Sequence, residues 1–351
     1  MGRFRINGNN MSFIVEAKKL ALEAACLAKK TKKISAFSIS CTRNIKKNKL
    51  FFPPIRITPY VVCANVILFS KDEVKKIVRV IDGIVDVIFV DVEKKIKNLD
   101  NLIALVQKEV KKSKISTIKI NDITAGSADA LIAYYFKDLH NKKVVIIGCG
   151  NIGSKIALKL VERGANVFIT RRNKNKINCI AKGLNLIKPK NSLSKIVGMI
   201  DNHEAAKNAD IIIGFTNGIP VIDKKMVDTM SENGMIIDGG IGTIFQDVIE
   251  YAKKIGIKIL RLDIRAGFAG TITNVIETEN FIKNFIGYKK IDGVDVVAGG
   301  VIGREGNIIV DKISNPTRVI GVADGIGGVL DSASSKKYEK NIKKIRKIIG
   351  M

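Results

Sequence analysis

The hydrophobic positions of the chain follow two periodicities, which predict the order of its first helices and strands. Residues 11–33 repeat small and apolar residues every three to four positions, which predicts an amphipathic helix. Residues 34–40 then alternate as in a strand. Further strands and helices are predicted in alternation at 61–69, 72–80, 85–90, 99–112 and 115–120. This alternation is typical of a mainly parallel sheet, so we expect a small N-terminal α/β domain over residues 1–120.

The alternation continues after this domain with more strongly apolar strands. A helix over 124–139, with Thr124 as its N-cap, leads into the strand 143–147. Later strands are predicted at 166–169, 209–214, 234–238 and 257–264. The pattern predicts a Rossmann-type domain over residues 121–285, a doubly wound parallel sheet with helices on both faces.

The last part of the chain is less regular, and we expect a C-terminal extension over residues 286–351. Short strands at 307–310 and 318–322 flank a turn, with glycine-rich segments nearby. The final helix, 335–349, has isoleucines on one face and basic residues on the other. This helix is predicted to pack on the body of the chain or on a second subunit, as in a homodimer.

A glycine pattern marks the start of the second domain. Gly148, Gly150 and Gly153 form G-x-G-x-x-G directly after an apolar strand and at the start of a helix. The first glycine permits a tight turn, the second lets the backbone approach a pyrophosphate, and the third lets the helix pack closely on the strand. We predict that this loop, together with Asn151 and Ile152, binds a nicotinamide dinucleotide.

The end of the next strand indicates which dinucleotide binds. NAD-selective sites have an acid there, whereas this chain has Thr170, Arg171 and Arg172. A guanidinium suits bidentate contact with a 2′-phosphate, so the pattern favours NADP over NAD. Ligands bind at the carboxyl ends of the strands in such sheets. Three residues at later strand ends are therefore also predicted to bind the cofactor: Thr216, Asn217 and Gly239.

The second domain resembles the C-terminal domain of the amino-acid-dehydrogenase-like group, which includes methylenetetrahydrofolate dehydrogenase, shikimate dehydrogenase and glutamyl-tRNA reductase. The resemblance rests on the small polar residues at 121–126, on ADIIIGFTNGIP at 209–220, on Asp-Gly-Gly at 238–240 and on the glycine-rich turn and helix at 267–277. It covers about residues 120–285 and implies a nicotinamide cofactor. The Tyr-x-x-x-Lys helix of the folate enzyme is absent from the first domain, so no particular activity is implied.

Hydride transfer also needs a group that carries the coupled proton. Histidine is nearly unavailable, because the chain has two and both fall in polar segments. We predict Asp122 for this group, since the segment between two domains borders the cleft where ligands bind. Lys18 or its neighbour Lys19 is predicted to supply a polarising ammonium. No metal site is predicted, because the five cysteines lack C-x-x-C spacing.

The formal net charge of +27 on 351 residues suggests a nucleic-acid partner at first sight, since Lys and Arg neutralise phosphates. The charge is uneven, however, with +25 in residues 1–200, −4 in 201–335 and +6 in 336–351. Lysine, isoleucine and asparagine are all abundant, which is typical of composition bias rather than of one basic face. We therefore do not expect nucleic-acid binding.

These observations predict a cytoplasmic NADP-dependent dehydrogenase or reductase of a small anionic metabolite, with hydride transfer in the cleft between two α/β domains. The cysteine spacing fits a reducing compartment, and the apolar run at 60–69 is too short to cross a bilayer. Two alternatives stay open: an enzyme that binds NAD(P) without net redox chemistry, such as a cyclodeaminase or lyase, and a non-catalytic Rossmann sensor or nucleic-acid-binding protein.

Overall fold

The computed structural model describes residues 10–42 and 49–350. The chain divides into two compact units, Met1–Thr271 and Ile272–Met351. Helices and strands largely alternate along the first unit, and the second unit has four successive strands between two helices, which confirms the predicted α/β class. None of the described helices combines the length and apolar composition that a membrane span needs.

The first sheet has five strands in the order β2-β3-β1-β4-β5 and is parallel except for the edge strand β2. Its strands are β1 (Ile34–Ser40), β2 (Arg56–Ile57), β3 (Val61–Ile67), β4 (Val87–Asp91) and β5 (Lys114–Ile118). One face packs against three helices: α1 (Asn10–Thr31), α2 (Lys71–Ile81) and α3 (Leu102–Glu109). The small-residue stripe of α1 explains its close packing, because Ala17, Ala21 and Ala24 are fully buried there.

The helix that follows β5 begins earlier than the sequence predicts. This helix, α4, spans Ile120–Tyr135, so Thr124 is not its N-cap. Thr124 is buried inside the helix, and its hydroxyl donates to the carbonyl of Ile120 at 2.8 Å. The N-cap position belongs to Lys119, whose side chain makes no capping bond. Asp122 therefore lies in the first turn of α4 rather than in a linker.

The second sheet is parallel throughout, in the order β11-β10-β9-β6-β7-β8. Its strands are β6 (Lys143–Ile147), β7 (Asn166–Thr170), β8 (Ile196–Met199), β9 (Ile211–Gly214), β10 (Met235–Asp238) and β11 (Lys258–Arg261). The helices between them are α5 (Asn151–Glu162), α6 (Lys174–Ile187), α7 (Asn202–Ala206), α8 (Lys224–Asp228) and α9 (Gln246–Lys254). Separate apolar cores cover the two faces, as in a doubly wound Rossmann sheet. The strand order reverses beside β6, where such sheets bind ligands.

The long helix α10 (Arg265–Asn284) crosses the boundary between the two units. The second unit continues with a mixed sheet in the order β12-β13-β14-β15. Its elements are β12 (Gly287–Ile291), β13 (Val294–Ala298), β14 (Ile308–Val310), β15 (Val319–Val322) and the terminal helix α11 (Glu339–Ile348). Ile342 and Ile345 of α11 pack against this sheet. The three-part division into residues 1–120, 121–285 and 286–351 stays a prediction.

Candidate functional site

The glycine loop between β6 and α5 has two positions that are constrained by the protein itself. Gly148 has a φ of +90°, and a Cβ there would lie 2.9 Å from the carbonyl carbon of Phe215. Such a φ is unfavourable for other residues. At Gly153, a Cβ would lie 3.2 Å from a methyl group of Ile146. The first glycine thus permits the turn, and the third permits close packing of α5 on β6.

At Gly150, neither the backbone conformation nor a neighbouring protein atom requires glycine. Its φ of −113° is open to other residues, and a Cβ there would meet no atom within 4 Å. Gly150 is the N-cap of α5, and no side chain caps the helix. The first N–H groups of a helix have no partners within the helix, and they attract anions. Open space before an uncapped helix N-terminus fits the pyrophosphate of a dinucleotide.

The two other predicted residues of this loop begin α5. Asn151 is exposed, and its side-chain oxygen accepts a hydrogen bond from Asn121 at 3.3 Å. Ile152 is partly buried against the core of the second sheet. Burial raises the pKa of the Cys149 thiol inside the loop, although its bond to Ser154 counteracts this. A protonated, buried thiol is typical of a space-filling residue rather than of a nucleophile.

Thr170, at the end of β7, supports the loop from the protein side. Its carbonyl accepts hydrogen bonds from the N–H groups of Gly148 and Cys149, at 3.2 and 3.0 Å. Its hydroxyl is buried and bonds to the side chain of Asn202 at 2.7 Å. The contacts of Thr170 therefore hold the loop in place, and its contact with the cofactor stays a prediction.

The next two residues bring positive charge to the loop. The guanidinium of Arg171 donates to the carbonyl of Cys149 at 3.2 Å and so lies against the loop. Arg172 is exposed and forms no hydrogen bond or ion pair with any residue that the structure describes. Asn173 follows and caps α6 through its side chain. The strand end therefore presents one anchored and one unpaired guanidinium, and no acid.

The loops after β9 and β10 meet the glycine loop through Phe215. The backbone of Phe215 lies against Gly148, and its ring occupies the space of a Cβ at Gly239. Thr216 donates to the carbonyl of Ile219 at 2.5 Å, within its own loop. Asn217 is exposed beside it. The structure thus brings Gly148, Gly239 and the Thr216–Asn217 loop together at one edge of the sheet.

The two predicted catalytic residues lie in different environments. Asp122 binds Lys119 at 2.5 Å and also binds Lys155 of α5. Burial alone would raise the pKa of Asp122, but the hydrogen bonds from these two lysines outweigh it and the pKa is lowered. Lys18 is exposed on α1 and makes no hydrogen bond or ion pair with the residues that the structure describes. No contact brings Lys18 to Asp122.

The structure adds a buried ion pair that the sequence interpretation missed. Asp91 is the last residue of β4, and its side chain is fully buried. The ammonium of Lys95 lies 2.6 Å from the Asp91 carboxylate and 3.3 Å from that of Glu93. Burial raises the pKa of Asp91, although the charge of Lys95 counteracts this. The rule that ligands bind at the carboxyl ends of strands would have indicated Asp91, had it been applied to the first sheet as well.

This ion pair connects to the glycine loop through a chain of polar contacts. Glu93 accepts a hydrogen bond from the N–H of Asn121 at 2.6 Å and lies 3.6 Å from Lys155. Lys155 binds Asp122, and Asn121 binds Asn151. The carboxyl edge of the first sheet therefore adjoins the edge of the second sheet that carries the glycine loop. Among the described residues, no group of three or more potential metal-ligating side chains occurs.

A comparison with protein families finds a match that covers strands β6 to β10 of the second sheet. Residues 130–241 match the family model for shikimate / quinate 5-dehydrogenase. These residues form an amino-acid-dehydrogenase-like Rossmann domain. The match to this Rossmann domain confirms the predicted resemblance and supports a nicotinamide-dependent, oxidoreductase-type protein.

More distant likenesses extend over larger parts of the chain. Glutamyl-tRNA reductase of Thermosipho melanesiensis is 25% identical over 226 residues, which is 60% of this chain and 55% of that protein. The chain thus spans about half the length of this relative. L-tryptophan dehydrogenase from Nostoc punctiforme is 14% identical, with a TM-score of 0.41 over 70% of this chain and 74% of that one. Ornithine carbamoyltransferase from Pyrococcus furiosus is 15% identical, with a TM-score of 0.43 over 74% and 92%.

Proposed function

We propose that the protein is an NADP-dependent dehydrogenase or reductase of a small anionic metabolite. The observation that carries this proposal is the open space at Gly150, in front of the uncapped N-terminus of α5. The amino-acid-dehydrogenase-like domain supports a nicotinamide as the ligand. When bound, the nicotinamide would supply or accept the hydride.

Under this proposal, the glycine loop with Asn151 and Ile152 binds the pyrophosphate through backbone N–H groups. The loops that carry Thr216, Asn217 and Gly239 close the neighbouring side of the cofactor site. Arg171 and Arg172 provide the charge for a 2′-phosphate, which NAD lacks. Arg171 is held against the loop, whereas Arg172 is unpaired among the described residues.

The two arginines are expected to differ in their effects on cofactor binding. Arg172→Ala removes only a free charge, so we expect NADPH affinity to fall about tenfold or more while NADH affinity is unchanged. Arg171→Ala also removes the bond to Cys149, so both affinities should fall. Fluorescence titration of each variant with NADPH and NADH measures the difference.

Lys182→Ala is the matched control. It also removes one exposed positive charge, from α6, the helix that follows Arg172 in the chain. NADPH and NADH should bind this control as they bind the unaltered protein. Equal NADPH affinity in Arg172→Ala and Lys182→Ala would contradict the assignment of NADP. Failure of the unaltered protein to bind either nucleotide would contradict the proposed function as a whole.

For the coupled proton we propose Asp122, with Lys95 as a second group. The carboxylate of Asp122 is ionised at neutral pH, so it can accept a proton but not donate one, and the two lysines that lower its pKa also make it a weaker base. The ammonium of Lys95 lies at the carboxyl edge of the first sheet, where the carboxylates of Asp91 and Glu93 hold it. The exposure of Lys18 gives no support to a role for that residue.

Replacement of Asp122 with Asn is expected to lower turnover about a hundredfold or more, because the base is lost, without changing NADPH affinity. The measurement is NADPH consumption or formation with a panel of 2-oxo and 2-hydroxy acids. Asp129→Asn is the matched control, because Asp129 also lies on α4 and also pairs with a basic residue, Arg163, the C-cap of α5. Equal turnover in the two variants would remove Asp122 from the mechanism.

A further inference from the structure

A set of buried polar side chains surrounds Arg56 on the face of the first sheet that does not contact α1–α3. The Nη1 of Arg56 donates to the side-chain oxygen of Asn65 at 2.9 Å. The same oxygen accepts the hydroxyl of Ser38 at 2.7 Å. The guanidinium also lies over the ring of Phe268, 4.8 Å from its centroid. Asn65 and Ser38 are each only 2% exposed, so this is an enclosed environment.

The charge of Arg56 has no counter-ion there. Arg56 forms no ion pair with the residues that the structure describes, and its side-chain hydrogen-bond partner, Asn65, is neutral. Burial lowers the pKa of its guanidinium, and the charge of Asp263 compensates only in part. Asp263 is already bound by Arg265, at 2.7 and 2.8 Å. A partly buried cation without a bound anion is unfavourable, which favours an anionic ligand.

The surrounding residues fix the direction of the guanidinium. The amide nitrogen of Asn65 donates to the carbonyls of Pro54 and Cys63, at 2.9 and 3.0 Å. Its oxygen is therefore turned toward Arg56. No buried side-chain nitrogen or oxygen among the described residues lacks a partner, so the remaining N–H groups of Arg56 must be reached by solvent. They form a donor fork that keeps contact with solvent.

The guanidinium of Arg56 lies near residues at the carboxyl end of the second sheet. Asp263 and Phe268 follow β11, so they lie at the carboxyl end of the second sheet, where dinucleotides bind. Arg56 approaches them from the first sheet. We propose that Arg56 binds the carboxylate group of the substrate and holds it beside the nicotinamide. That the bound anion is a substrate rests on the proposed function, whereas the carboxylate site itself does not depend on it.

Oxalate is a suitable probe, because it is a small anion that presents carboxylate groups to the guanidinium. Oxamide, which has the same shape and no charge, is its control ligand. We expect calorimetry in carboxylate-free buffer to show binding of oxalate and not of oxamide. Arg56→Met should lower oxalate affinity about tenfold to a hundredfold, the loss expected for a charged bidentate contact. Arg56→Lys should lower it less, since the charge remains and the fork is lost.

Arg79→Met is the matched protein control, because Arg79 is largely exposed on α2 and pairs with Glu109. Oxalate affinity in this variant should equal that of the unaltered protein. If Arg56→Met binds oxalate normally, or the unaltered protein binds none, the site is disproved. If Arg56→Met does not fold, Arg56→Lys decides, and normal affinity there is the contrary result. NADPH binding to the unaltered protein is measured in a separate titration. If the unaltered protein binds oxalate but not NADPH, the result contradicts the proposed function and leaves the carboxylate site standing.

Discussion

Replacement of Gly150 with alanine is expected to abolish measurable NADPH binding without unfolding the protein. The added Cβ would meet no protein atom within 4 Å, and the φ of −113° accommodates alanine. The methyl group would instead fill the space before the N-terminus of α5 and keep a pyrophosphate from the N–H groups. We expect at least about a hundredfold loss of affinity, equivalent to about 2.7 kcal/mol, measured by fluorescence titration.

Gly183→Ala is the control for this experiment. Gly183 lies in α6, and a Cβ there would also meet no atom within 4 Å, but this glycine is remote from the loop in sequence. Alanine there should leave NADPH binding unchanged and stabilise the helix by about 0.5–1 kcal/mol. Equal melting temperatures of Gly150→Ala and the unaltered protein, with full NADPH affinity in both, would show that the open space is not the pyrophosphate site.

Lys95→Met is expected to destabilise the first unit by about 3–5 kcal/mol, the range for removing one partner of a buried ion pair. The carboxylate of Asp91 is fully buried, and Lys95 is only 11% exposed. The double variant Asp91→Asn/Lys95→Met should lose less than Lys95→Met alone, because no charge is then left unpaired. Urea unfolding of the single and double variants forms a thermodynamic cycle that measures this coupling.

The destabilisation of Lys95→Met should also depend on pH. Asp91 has a raised pKa in the folded protein, so folding favours its protonated form, and loss of Lys95 strengthens that preference. The added instability is then largest above the folded-state pKa and diminishes as the pH falls through it toward the unfolded value. Additive losses in the double variant, or a pH-independent loss in Lys95→Met, would show that Asp91 and Lys95 are not coupled.

Regular apolar patterns explain which elements could be predicted. The strand Ile34–Ser40 and the loop at Gly148 were predictable because local periodicity and glycine spacing directly reflect the backbone. The hairpin of β12 and β13 was not predicted, although Asp292-Gly293 is a strong turn signal and both residues have positive φ. The strand β8 is short and contains Gly198, which weakens any strand signal.

The start of α4 shows a different limit. Threonine is a common N-cap residue, but α4 begins about one turn before Thr124. The Thr124 hydroxyl therefore bonds to a carbonyl inside the helix. Contacts between residues far apart in the chain could not be predicted from the sequence either. Arg56 and Phe268 are 212 positions apart, and Lys155 binds Asp122 across two helices. Such contacts depend on how the sheets pack, which periodicity does not encode.

The packing of Phe215 has a consequence for variation among homologous chains. Its backbone limits residue 148, and its ring limits residue 239, so loops after three separate strands share one volume. A side chain at position 239 is therefore compatible only with a smaller residue at position 215. We expect these two positions to covary among homologues, with an aromatic residue at one accompanied by glycine at the other. Chains that break this correlation would need a displaced β10 loop, and with it a differently shaped carboxyl edge of the sheet beside the glycine loop.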